Sequence, residues 1–182
     1  MMKVTSSKLQ GAMLLEPVVH GDNRGFFMES YNEQIMRQKG LSHHFIQDNQ
    51  SLSTQPGVLR GLHYQINPKA QTKLVRVIAG AIYDVILDIR TGSPTYGQWE
   101  AFILSEYNHR QLLVPKGFAH GFCTLVPNTQ VFYKVDEYYS PENDRGILWD
   151  DPTLGIDWPT FNPILSEKDK QHPLFKDAEM NF

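Results

Sequence analysis

The densest run of reactive side chains is Arg60-Gly61-Leu62-His63-Tyr64-Gln65. In a plain strand Leu59, Gly61, His63 and Gln65 share one face and Arg60 points the other way. Arginine and histidine can serve one pocket here only if the strand bulges, and Gly61 is where a bulge would sit. Otherwise His63 is a core-edge histidine bonded to a backbone carbonyl, and Arg60 belongs to a surface ion pair. Lys73 opens another apolar run, ten residues after His63. With Val75 and Val77 on its face it aims at an apolar interior, where an ammonium is costly unless paired or used. The alternative is a solvated strand end.

The stretch from Val114 to Gly121 reads as a tight turn that feeds a strand and delivers His120, which can also be a turn histidine bonded to backbone. Tyr133 shares a face with Val131 and Val135, so it projects inward, as a core tyrosine or as an acid. Arg24 to Glu29 alternates, with Arg24, Phe26 and Met28 on one face and Phe27 and Glu29 on the other. Its simplest reading is an edge strand with salt-bridging charges. The pairs Asp150-Asp151 and Asp84/Asp88 lack the partners of a calcium loop and are assigned to turns or ion pairs. Cys123, among Phe122, Leu125 and Val126, reads as a small buried hydrophobe.

Short strands must position these groups. Thirteen glycines and eleven prolines cut the chain evenly, without a linker, charge block or repeat. Between the breaks, Arg24–Tyr31, Phe45–Ser51, Val58–Gln65, Val75–Ile78, Ala81–Arg90, Trp99–Leu104, Gln111–Val114, Gly121–Leu125 and Thr129–Tyr138 read as strands. Helical spacing is confined to about Asn32–Lys39 and a segment after Ser166, where Ser166 and Asp169 form a capping-box-like pair. The pattern predicts one all-β domain over residues 1–182, a jelly roll with a few short helices.

Composition narrows the function. Seventeen Lys+Arg against twenty Asp+Glu in 182 residues argue against a generally basic nucleic-acid binder. A single cysteine allows neither an internal disulfide nor a CxxC site. No apolar stretch is long enough for a signal or membrane span, so the expected location is the cytoplasm.

Several motifs then occur in one order: Arg24-Gly25-Phe26-Phe27, Gln47-Asp48-Asn49, Gly57 through Tyr64, Pro115 through Phe122, Tyr138-Tyr139 and Ser166-Glu167-Lys168-Asp169. From about residue 8 to residue 170, that order resembles the dTDP-4-dehydrorhamnose 3,5-epimerases, nucleotide-sugar isomerases of the cupin superfamily. The resemblance implies a cupin-type double-stranded β-helix and a homodimer in which N-terminal strands pair across subunits. It also implies a dTDP-sugar substrate, with no nucleic-acid or membrane partner. Metal-binding cupins are similar in the PxGxxH turn but carry an HxH pair, where this chain has His63-Tyr64-Gln65. His63 and His120 alone leave a metal with too few ligands, so neither metal nor other cofactor is expected.

The reaction so implied removes C3 and C5 hydrogens that lie α to a C4 ketone. Such a C–H is about 12.5 pKa units less acidic than an imidazolium, a gap of about 17 kcal/mol. The site therefore needs a base, an oxyanion stabiliser and an acid on the opposite face. The resemblance assigns His63 as the base, Asp169 as the carboxylate that fixes its tautomer, Lys73 at the oxyanion and Tyr133 as the acid. It places Arg24 and Arg60 on the diphosphate. Glu29, the Gln47-Asp48-Asn49 run and His120 match polar ligand contacts, as does Lys168, while Tyr139 stacks on thymine with Phe27 as a second face. Asp144 stands where the family often has glutamate, with the charge kept and a shorter reach. Alternative readings are a single-site epimerase, a 3,4-ketoisomerase, a sugar-binding cupin without catalysis, or a metal-dependent oxygenase.

Overall fold

The apolar runs between the breaks pair as antiparallel strands, and the structure, a computed structural model, describes residues 2–182. One sheet has the spatial order β1 (Lys3–Ser6), β2 (Met13–Glu16), β10 (Gln111–Val114), β7 (Lys73–Ala79), β12 (Thr129–Val135) and β5 (Gln47–Ser53). The facing sheet runs β13 (Asp144–Gly146), β6 (Leu59–Gln65), β11 (Phe118–Thr124), β8 (Ala81–Asp88) and β9 (Trp99–Ser105). A separate hairpin joins β3 (Val19–Asp22) to β4 (Gly25–Met28). This is the mostly β, jelly-roll architecture that the strand pattern predicts. Among the described residues no helix is long and apolar enough to cross a membrane.

The two sheets close on a shared core. Val75, Val77, Leu112 and Val131 meet Ile82, Ile86, Leu104, Phe118 and Phe122 between them. On the outer face of the smaller sheet, Leu59, Leu62, Tyr64, Val85 and Leu87 are covered by the C-terminal segment through Ile147, Trp158 and Phe182. Strand β8 is thus buried on both faces, which is why its sequence is nearly continuously apolar. Helix α1 (Glu33–Gln38) packs Met36 against Leu15, Leu74 and Leu113 on the outer face of the larger sheet. The Asn32 side chain caps it by accepting from the Ile35 amide at 3.2 Å.

Two expectations are corrected. Arg24–Tyr31 is not one strand: Asn23 and Arg24 form the two-residue turn between β3 and β4, and the strand ends at Met28. The segment after Ser166 forms only two 3-10 turns, Asp169–Gln171 and Phe175–Asp177. Pro173 stops the first, because the residue before a proline is held out of the helical region, and His172 sits at φ −63°, ψ 146°.

The bulge that the Arg60–Gln65 run requires is present. His120 pairs with His63 and Phe122 with Arg60, so Gly61 and Leu62 together face Gly121 alone. The extra residue reverses the alternation: Leu59, Leu62 and Tyr64 pack outward, which turns Arg60 and His63 to the opposite face. Gly61 has φ +120°, and a Cβ there would lie 2.6 Å from Gly121 Cα and 2.7 Å from the His120 carbonyl oxygen. We expect Gly61→Ala to cost at least about 2 kcal/mol of unfolding free energy, from backbone strain and overpacking together. Denaturant titration checks this, and a loss below about 0.5 kcal/mol would show that the strands can part there at little cost.

Candidate active site

Side chains from both sheets converge at one end of the interior. His63 (β6) and His120 (β11) come from the smaller sheet, Lys73 (β7) and Tyr133 (β12) from the larger. The alternation that buries Val75, Val77 and Val131 in the shared core also turns Lys73 and Tyr133 inward. In register, Tyr133 lies opposite Val75 and Val135 opposite Lys73, so phenol and ammonium are diagonal neighbours.

His63 and Asp169 meet across 106 residues of sequence, with Nε2 2.5 Å from Oδ1. Asp169 is buried at the start of its 3-10 turn. The Ser166 hydroxyl accepts from its amide at 3.1 Å and donates to Oδ2 at 2.8 Å. The capping pair read in the sequence therefore forms, and it aims the carboxylate at the histidine. Burial raises the Asp169 carboxyl, but His172, His63 and Ser166 outweigh it and hold the group well below the usual carboxylate range. Burial pushes His63 below the ordinary imidazole value against the opposing pull of Asp169, with Lys73 and His172 adding to the decrease. The carboxylate orients the ring, while burial works against its charged form.

Lys73 is pushed down to about 8 by burial, with Asp144 and Asp84 resisting. Its Nζ donates to the His63 carbonyl at 3.4 Å. Burial raises the Tyr133 phenol; Arg60 lowers it and Asp144 raises it further. A positive charge beside a protonated phenol suits an oxyanion and a proton donor. His120 Nε2 lies 2.6 Å from Asp84 Oδ1, both groups buried.

At the mouth, the Asp144 carboxylate accepts from Lys168 and, at 3.1 Å, from the Tyr139 hydroxyl. The shorter acid reaches both partners. Gln47 donates to Asn49 Oδ1 at 2.9 Å and accepts from the Tyr139 amide at 3.2 Å. Arg60 is exposed at the rim, its guanidinium 3.5 Å from the Leu52 carbonyl.

Four expected contact residues lie elsewhere in the isolated chain. The Asp48 carboxylate is on the outer face of β5, paired with Lys134 at 2.9 Å. Arg24 sits in the hairpin turn, 85% exposed and bonded to Asp22. Phe27 is 70% exposed, and Glu29 accepts from Asn32 at 2.6 Å. Phe27 and Glu29 line a different cavity of about 870 Å³, shared with α1.

Two buried residues of the site escaped the sequence reading. Asp84 gave only an ion-pair signal, because both faces of β8 look like core. His172 had no periodic signal, yet its ring stands edge-on to His63 at 5.4 Å and its Nε2 lies 3.5 Å from Asp169 Oδ1. His63, Asp169 and His172 together offer three side chains of kinds that metals use, two imidazoles and a carboxylate. The His63–Asp169 distance is that of a hydrogen bond: two donors on a tetrahedral zinc stand about 3.3 Å apart, and these atoms are at 2.5 Å.

Residues 6–177 match the family described as dTDP-4-dehydrorhamnose 3,5-epimerase. The curated protein of that name from Shigella flexneri is 49% identical, over 98% of both chains. A crystal structure of the Bacillus anthracis protein of that name, with TDP and PPi bound, superposes with a TM-score of 0.94. It is 60% identical and covers 96% of this chain and 99% of that one. The dTDP-6-deoxy-D-glucose-3,5-epimerase of Legionella pneumophila, in complex with dTDP-4-keto-L-rhamnose, gives 0.93 at 45% identity, covering 97% and 94%.

The depressed Lys73 value has a consequence for stability. Between about pH 8 and 10.5 the unfolded chain holds this proton and the folded chain does not, so the lysine's cost is full below pH 8 and fades as pH rises to 10.5. We expect Lys73→Met to be more stable at pH 7 by on the order of 3 kcal/mol, the advantage narrowing between pH 8 and 10. Unfolding titrations at the three pH values check this, and a constant difference would refute the buried-ammonium assignment.

Proposed function

Given that the chain belongs to the dTDP-4-dehydrorhamnose 3,5-epimerase family, we propose that His63, Lys73 and Tyr133 perform its two inversions. The chain is an isomerase that converts dTDP-4-keto-6-deoxyglucose to dTDP-4-keto-L-rhamnose. One observation carries the assignment: base and phenol stand on opposite sheets, with the ammonium beside the phenol. A sugar ring between them presents one face to His63 and the other to Tyr133.

With Nε2–H donated to Asp169, the other ring nitrogen of His63 takes the proton from C3 or C5. The C–H electron pair moves into the ring bond to C4, and the carbonyl pair moves onto the C4 oxygen, where the Lys73 ammonium stabilises it. Tyr133 gives its proton to the same carbon from the opposite face, and the electron flow reverses. Imidazolium and phenolate then exchange with solvent, and the sequence repeats at the second carbon. Arg60 and Lys168 suit the diphosphate, and the half-exposed Tyr139 suits stacking on the base. His120, Gln47 and Asn49 offer polar contacts to the sugar and the base. The nucleotide-sugar substrate and the lone buried thiol, pushed up to about 11 by burial, fit a cytoplasmic enzyme.

We further propose a homodimer. A two-stranded hairpin is marginal alone, and this one displays Phe26 and Phe27 at 59% and 70% exposure. A second copy that covers it would take Arg24, Phe27 and Glu29 toward the neighbouring pocket, which explains why their own chain leaves them outside.

In D₂O with dTDP-4-keto-6-deoxyglucose, NMR is expected to show deuterium entering both C3 and C5, and His63→Asn to slow both at least 10³-fold. Label at one carbon alone would reduce the reaction to a single inversion, and undiminished exchange in the variant would remove His63 from the role. Light scattering should give twice the 20.9 kDa chain mass, with Phe27→Asp shifting the protein to monomer. A wild-type protein that is monomeric at full activity would overturn the dimer.

A further inference from the structure

His172 lies in the loop that follows Asp169, with no place in the chemistry above. Its side chain is 8% exposed, and its Nε2 is buried without a partner inside ordinary hydrogen-bond limits. The nearest acceptor is Asp169 Oδ1 at 3.5 Å, the same oxygen that His63 reaches at 2.5 Å. Room for the ring is built in: a Cβ on Gly146 would fall 2.4 Å from its Nε2 and Cε1. Gly146 is the strand partner of His63, so the strand that flanks the base carries a glycine where His172 enters.

We propose that His172 is a positioning residue: its Nε2–H is a second donor to Asp169 Oδ1, holding the carboxylate on line with His63 and taking up part of its charge. The inference rests on the reading of His63 as the base. A carboxylate oxygen shared between two N–H donors attracts each less than it would attract one alone. Asp169 therefore orients His63 while raising its basicity less than a carboxylate with a single donor would. Buried carboxylates are seldom left to one donor, and here Ser166 and His172 supply the others.

The remaining charges around His172 are already matched. On β13, Asp144 is paired with Lys168 and Arg145 with Glu179 of the C-terminal segment, while Glu167 is paired with Lys170. Lys73 acts on His63 from the facing sheet, as His172 does at close range. Besides that direct effect, the His172 donor acts on His63 through Asp169.

The test has two parts. In wild-type protein carrying ¹⁵N-histidine, NMR should show His172 protonated at Nε2, and a ring protonated only at Nδ1 would refute the donor outright. In His172→Phe, which keeps the ring and removes the donor, both the His63 titration and the acid limb of the kcat/KM profile should move up by at least half a pH unit. His172→Gln, which restores an N–H, should return both toward wild type. A folded Phe variant with both unchanged would show His172 to be packing only. If deuterium exchange survived His63→Asn, the base assignment would fall, whereas the NMR tautomer would still report the contact.

Discussion

Two glycines set the geometry on which the pocket depends. Gly61 and Gly121 let β6 and β11 approach too closely for any side chain between them, and the extra residue accommodated there shifts the alternation of β6 by one. Without that shift, Arg60 and His63 would lie on opposite faces, one in the outer apolar core and the other in the barrel. With it, a guanidinium and an imidazole share one face, and Leu62 and Tyr64 remain in the outer core. A single local departure from strand regularity thus assigns side chains to two different compartments.

The polar interior is stable because its charges come in sets. Asp169 faces His63, His172 and Ser166; Asp84 faces His120; Asp144 holds Lys168 and Tyr139. Lys73 is the exception. It lacks a direct carboxylate contact, is held only by a carbonyl at 3.4 Å, and feels Asp144 and Asp84 across the cavity. A buried ammonium so weakly neutralised is costly for folding and well placed to meet a negative charge that forms on a substrate. Stability is given up at the atom that the proposed mechanism sets against the oxyanion.

Much of this was legible in the residues. The β-branched runs between glycines gave the central strands, and the face shared with Val75, Val77 and Val131 sent Lys73 and Tyr133 inward, where they are found. Even the bulge could be anticipated, since Arg60 and His63 cannot otherwise meet. The misses have physical causes. Strands β1, β2, β3 and β13 have three or four residues, too few for alternation to stand out, and their partners lie far along the chain. Ser166 capped a turn rather than a helix because Pro173 follows too soon. His172 was silent for a different reason: its neighbours, Asp169 and the open space over Gly146, are created only by tertiary packing.

Asp169 comes late in the chain. It follows the last strand by more than twenty residues, and the segment that carries it is clasped to the barrel by Phe182 against Tyr64 and by Asn181 on Asn67. A chain whose strands had all paired but whose C-terminal segment had not yet docked would hold the His63 imidazole without the carboxylate that it meets here.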